Sequence, residues 1–526
     1  MKKLIILLSI FLLNISINCF AFTGAKQLYS GYDCITETEP EASLIPRPID
    51  DLALEHLHPS SGKSSSKSGT ITWSHEDWDG SYGAIAECLA IPNDGSKIYV
   101  AWNLNSERIS AFEAAGTGTP IWEYDVREGS TYNINGSVLV RISDDGNVLV
   151  ASVSGRNPVS TTIYESVLYR LDPVTGTDYW TPIIMPPTVE DPDSTETITH
   201  LDVAADGSII VVGTRGYRSD PVYEPFFIHI YSFSGALIHT FEEPDPAGDI
   251  FYINDLKVTD NGSRIVADFR GGSGPKHLVK VYDLNSLRKI QEFDFSDEGP
   301  QCSIGLSGDG EILAIGNLRG VLRVFSYNAI LTQYEPLWTY SIPPAYYYAW
   351  VTAIEISKDG SILGMGSYQP DSSANHGYLY VFNAVSGPPY IHRSQDLGDM
   401  MEDVAISDNG YLVAAAGWGP YSPPARQYDM VAYNTYTDED VFLMTDTYPG
   451  SLFACEVDGL GKRLCAGGKR VHARAFGSGG WAYSISLDFV TPTPTGPDIP
   501  VGSPAGFLIP ALMLSALITI ASINRK

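Results

Sequence analysis

SGDGEILAIG, residues 307–316, places a polar turn pair, Asp309-Gly310, ahead of an apolar run that closes on Gly316. Seven more stretches share this grammar, from LAIPNDGSKIYVAW at residue 89 to the degenerate CEVDGLGKRLCAGGKR at residue 455. Their turn glycines are Gly95, Gly146, Gly207, Gly262, Gly310, Gly360, Gly410 and Gly461, spaced by 51, 61, 55, 48, 50, 50 and 51 residues. A period of that size marks a repeat architecture before any other reading.

Each copy has a local reading. Alternation such as Val404-Ala405-Ile406 makes a first strand. Asp-Gly or Asn-Gly supplies the positive φ of a tight hairpin. The Ala- and Gly-containing run that follows is a second strand, buried on both faces where neighbouring sheets press close. A third strand follows in every copy, from ERISAFEA in the first to RVHARAFG in the last. A fourth is clear in most, from IWEYDV in the first to WAYSISL in the last. Such repeats predict an all-β fold, a β-propeller of eight, alternatively seven, four-stranded blades. In a ring each sheet packs only on its neighbours, so a chain of 526 residues adds blades without enlarging one core. TITWSHEDW, residues 70–78, resembles a further fourth strand that could complete the last blade, although WAYSISL offers one already.

The two ends read differently. Lys2 and Lys3 precede an apolar run from Leu4 to Ile17, with Ala21 available for cleavage, so residues 1–21 read as a secretory signal peptide. Residues 22–69 contain SSGKSSSKSG and read as a flexible lead-in to a propeller over 70–490. Residues 491–505 form a Pro/Thr/Gly stalk. Residues 506–523 are uncharged and long enough for a transmembrane or sorting helix, and the basic end 524–526 stays on the cytoplasmic side. This tail resembles the C-terminal sorting signals of prokaryotic surface proteins, although their Pro-Glu-Pro and Leu-Pro-x-Thr-Gly motifs are absent. The implied location is the cell surface or the extracellular side, reached by export and anchored in the membrane by the C-terminus.

The four terminal cations aside, 29 basic residues face 62 acidic ones, a net charge of −33. That excess excludes nucleic acid as a partner, since a phosphate backbone needs positive charge at the contact. No CxxC or His-rich metal spacing occurs. Cys455 and Cys465 flank VDGLGK symmetrically about Leu460, so an antiparallel hairpin would set them opposite one another as a disulfide in an oxidising compartment. Two small buried thiols are the alternative.

At this point the residues resemble two families. The Asp-Gly turn followed by a V-x-V-Y/F-D strand resembles WD40-like propellers. AFEAAGTGTPIW (111–122) and YRLDPVTGTDYW (169–180) resemble the tryptophan-docking repeat of quinoprotein-like (PQQ-like) propellers. The second resemblance implies that Trp122 and Trp180 pack blade against blade.

Antiparallel four-stranded blades put the short turns on one face and the long, varied loops on the other, where binding residues gather. The long loops carry Tyr217, Tyr223, Tyr347, Trp350, Trp418 and Tyr421, candidate anchors for a protein partner or stacking platforms for a glycan. Asp191 and Asp193, beside Glu190 and Glu196, are candidate Ca²⁺ ligands. No Ser/His/Asp constellation or phosphate loop stands out, and no catalytic residue is assigned. The leading expectation is a non-enzymatic surface module that binds a protein or glycan through its long-loop face. The alternatives are a quinoprotein-like oxidoreductase and a carbohydrate hydrolase or lyase.

Overall fold

The computed structural model describes residues 63–64, 69–78, 83–103, 106–127, 135–156, 163–188, 193–215, 225–243, 252–270, 277–298, 301–343, 348–372, 374–420, 428–445, 450–474 and 479–488. The signal peptide, the stalk and the C-terminal apolar segment expected from the sequence lie outside these residues. Among the described residues no helix is long and apolar enough to cross a membrane.

Eight antiparallel sheets form the blades of a propeller. Their innermost strands are Ile85–Ala90, Asn135–Ile142, Thr197–Val203, Tyr252–Val258, Gln301–Leu306, Trp350–Ile356, Met401–Ile406 and Ser451–Val457, which number blades 1 to 8. Each inner strand packs beside that of the next blade, and Ser451–Val457 returns to Ile85–Ala90, which closes the ring. The seven-bladed alternative is thereby excluded.

The opening stretch shows why the repeat is written as it is. Gly310 sits at φ +71°, where a side chain would be strained and would also meet Thr259 of the preceding blade. Asp309 Oδ1 accepts the Glu311 amide at 2.9 Å and the Ser307 hydroxyl at 2.7 Å, while Ser307 Oγ accepts the Ile312 amide at 3.0 Å. The turn therefore satisfies its own polar groups. The run that follows, Ile312–Asn317, is buried throughout. A Cβ on Gly316 would lie 2.3 Å from Val351 of the next blade, so the run closes on the residue that lets two sheets touch.

Closure of the ring corrects the sequence reading of the last blade. Gly480–Leu487, which contains WAYSISL, is its third strand, and Gly69–Asp77 from the N-terminal side is its fourth. RVHARAFG does not begin as a strand: its described residues, 470–474, are bend and turn. Fourth strands that the sequence did not reveal are Gly387–Arg393 in blade 6 and Glu439–Thr445 in blade 7. In the lead-in, Lys63–Ser64 adds a short fifth strand to blade 7.

The expected disulfide is not formed, and Cys455 and Cys465 are free and buried. The hairpin centres between Leu460 and Gly461, because Asp458 pairs with Arg463 through its backbone. Cys455 therefore opposes Ala466, and Cys465 opposes Glu456. One residue of offset turns the two thiols to opposite faces of the sheet. Cys455 packs towards blade 7 and Cys465 towards blade 1.

Tryptophans lock blade to blade. Trp122 of blade 1 lies against Gly176 in the third-to-fourth turn of blade 2, and Trp180 of blade 2 against Gly235 of blade 3. Trp338 meets Gly387 of blade 6, and Trp73 on the closing strand meets Gly118 of blade 1. The Trp73 indole donates to the Glu113 carbonyl at 3.0 Å, and the Trp338 indole to the Ala384 carbonyl at 2.8 Å. The blade-on-blade packing expected of Trp122 and Trp180 is met, at four interfaces where the sequence motif marked fewer.

Candidate functional site

Seven of the eight inner strands carry a β-bulge eight residues before the turn glycine, at Glu87, Thr199, Asn254, Cys302, Thr352, Glu402 and Phe453. A bulge frees a backbone group and re-aims the next side chain. The side chain after the bulge then reaches across to the next blade. Asp255 Oδ2 accepts the Ile304 amide at 3.0 Å, Ser303 Oγ the Ile354 amide at 3.1 Å, and Asp403 Oδ2 the Cys455 amide at 3.0 Å.

The same strands line a central cavity of about 250 Å³ in layers. At the short-turn end, backbone bonds run from Asn93 to Asp144, on to Ala205, Asp260, Gly308 and Lys358, and from Gly459 to Asn93. Lys358 reaches into this ring, pairs with Asp144, and lies 3.1 Å from Asp408. Asn93 donates to Asp408 at 2.6 Å. Beneath lies an aliphatic layer that includes Ile91, Ile142, Leu306 and Ile356, and then a charged layer of Arg141, Asp202, Lys257, Glu355 and Glu456. Lys257 meets Glu355 at 2.7 Å.

Burial governs the electrostatics there. It pushes Glu456 up to about 7, helped by Asp403 and opposed by Arg141. It likewise pushes Glu87 up to about 7 against the Asn103 amide, and Asp260 up to about 6 against Lys358. Burial alone would lower Lys257, but Glu355, Asp255 and Asp202 hold it above the usual lysine range.

The long-loop end is capped differently. Trp350 and Trp418 pack with Ile85, Tyr368, Met400 and Phe453 into an apolar cluster joining blades 1, 6, 7 and 8. Only 3% of Trp350 and 1% of Trp418 is exposed, so these two form a floor beneath the loops rather than projecting anchors. Tyr348 stacks on Trp350 at 5.3 Å. Above this floor, Arg474 meets Asp399 with its Nε at 3.2 Å and one Nη at 3.3 Å, and donates to the Tyr368 hydroxyl at 3.1 Å. Asn375 donates to Asp399 at 3.1 Å, and His472 lies 3.1 Å from the Gly419 carbonyl. The pair with Asp399 holds the guanidinium charged and fixes its plane. Beside it, His376 bridges Asp396 and Asp371, tying two loops of blade 6 together.

Tyr217, Tyr223, Tyr347, Tyr421 and Asp191 lie outside the described residues. Asp193 is exposed, whereas Glu196 from the same acidic loop is turned inward, 2.7 Å from His229 Nε2 and accepting from Thr214 at 2.6 Å. Among the described residues no group of three or more His, Cys, Asp or Glu is arranged to hold a metal ion. Sequence reasoning missed the Arg474–Asp399–Tyr368 network. Its members come from three blades, and no local spacing connects them.

No family model matches the chain, and no curated protein sequence does. Solved structures do match. Sqt1 of Saccharomyces cerevisiae aligns with a TM-score of 0.52 at 9% identity, over 80% of this chain and 100% of that one. Sqt1 from Chaetomium thermophilum aligns with a TM-score of 0.51 at 12% identity, over 81% and 100%. At such identities the likeness speaks for the fold alone. The chain is an eight-bladed β-propeller of four-stranded blades.

Proposed function

We propose that this propeller is a binding or scaffold module displayed on the cell surface, and that it holds a protein or glycan partner on its long-loop face. One observation carries the reading. The last strand, Gly480–Leu487, runs towards the short-turn face, and its antiparallel partner Gly69–Asp77 starts there, so the described strands enter and leave the ring on the side away from the long loops. That face offers loops of varied length over a rigid floor of Trp350, Trp418 and the Arg474–Asp399 pair. Rigid support beneath variable loops suits recognition. Export through residues 1–21 and anchoring through 506–523 complete the proposal.

The test is a melting-temperature screen of the full chain against peptide and glycan panels. A ligand specific for the folded ring stabilises it by about 2.7 kcal/mol at a hundredfold excess over its Kd. Tyr217→Ser, Tyr223→Ser, Tyr347→Ser and Tyr421→Ser combined should abolish the shift without changing the unliganded transition. A shift that survives this variant moves the site off the long-loop face.

A further inference from the structure

The opposite face carries a pattern that the fold does not need. The residue before each turn glycine projects from the short-turn face, and in five blades it is an exposed aspartate: Asp94, Asp145, Asp206, Asp309 and Asp359. Each uses Oδ1 to cap the amide two residues on, at 2.9–3.0 Å. Blades 4 and 7 make the same cap with Asn261 and Asn409, at 3.0 Å. Asparagine therefore suffices for the turn, and the five negative charges are surplus to it.

Around this acidic ring the third-to-fourth turns display apolar side chains: Phe233, Leu287, Ile330, Leu331, Val385 and Tyr436, one or two per blade from blade 3 to blade 7. All are at least 40% exposed, and Ile330 is 92% exposed. Tyr436 lies 6.2 Å from the Tyr411 ring of its own blade, and the others stand out from their turns. An acidic centre with an apolar rim complements a surface that is basic at its centre and apolar around it.

We propose that the short-turn face is a second docking surface, and that its occupant is a basic protein segment flanked by apolar residues. The acidic ring repels both nucleic acid and anionic lipid headgroups, which leaves a cationic polypeptide as the fitting partner. The proposal is independent of the long-loop reading, because it uses other residues on the other face.

The probe is a labelled amphipathic helical peptide with lysine on one face and leucine on the other, followed by fluorescence anisotropy on the full chain at physiological ionic strength. Ile330→Asp with Leu331→Asp should weaken binding about tenfold or more, as loss of an apolar anchor does. Asp94→Asn, Asp206→Asn and Asp309→Asn together keep the caps and should weaken it severalfold, with a flatter salt dependence. The tyrosine-to-serine variant of the long loops should bind the peptide normally. Unchanged binding by the Ile330/Leu331 variant would overturn the proposal and leave only general attraction between opposite charges. Failure to bind the peptide, with flotation on phosphatidylcholine vesicles that is lost in the same variant, would overturn it in favour of a lipid surface.

Discussion

At the residue scale, the left-handed position in the third-to-fourth turn obeys two constraints that separate cleanly. Where a tryptophan arrives from the preceding blade the position is glycine, as at Gly118, Gly176, Gly235 and Gly387. Where none arrives, the chain tolerates Leu287, Thr332 and Asp438 at φ 52°, 53° and 55°. Clash with the indole, more than backbone strain, thus selects the glycine. Gly176→Ala would put a methyl 2.5 Å from Trp122, and the overpacking and strain together should lower stability by about 2–4 kcal/mol in urea titration. Thr332→Gly relieves the strain with no indole to accommodate, and should change stability by no more than about +1 kcal/mol.

At the element scale, the strand Gly69–Asp77 is the clasp of the ring. Trp73 on this strand is 5% exposed, stacks on Phe112 at 4.9 Å, and donates to two carbonyls of blade 1. Trp73→Ala removes a large buried ring and orphans those acceptors, so it should cost about 3–5 kcal/mol, read as a lower urea midpoint. Truncation up to residue 68 keeps the clasp and should leave a cooperative transition. Removal of residues 1–78 takes away the outer strand of blade 8, and proteolysis should then begin at that blade.

At the scale of the whole molecule, the charged layers make stability depend on pH. Glu456 has a folded pKa of about 7, above its ordinary 4.5, so the folded state holds the proton more tightly than the unfolded chain does. The stabilisation is fully present below about pH 4.5 and is lost as pH rises through 7. Glu456→Gln should therefore raise stability by about 2 kcal/mol at pH 8, with the gain shrinking towards pH 5. Lys358→Met works in the opposite sense. It leaves Asp144, Asp260 and Asp408 facing one another, and should cost about 2 kcal/mol at pH 8 for this partly exposed cluster. At pH 5 the loss should be smaller, because Asp260 then carries its proton. Urea midpoints at the two pH values check both variants.

The eight copies of the turn grammar determined by themselves that the chain is a propeller, because Asp-Gly spacing and apolar runs act locally and repeat. The short-turn face was legible for the same reason, since every one of its caps lies within a few residues of its glycine. Which strand ends the last blade was not legible. WAYSISL and TITWSHEDW have equivalent patterns, and only the pairing of Gly69–Asp77 with Gly480–Leu487 decides between them. The fate of Cys455 and Cys465 turned on a one-residue offset that symmetry about Leu460 concealed. Trp350 and Trp418 read as surface aromatics because they adjoin long loops, yet burial is a property of the neighbours that blades 1, 6, 7 and 8 bring together. The Lys358–Asp144 and Arg474–Asp399 pairs join residues many turns apart in sequence. Local rules thus wrote the blades. Only closure of the ring decided which side chains meet at its axis, because that contact exists in no single repeat.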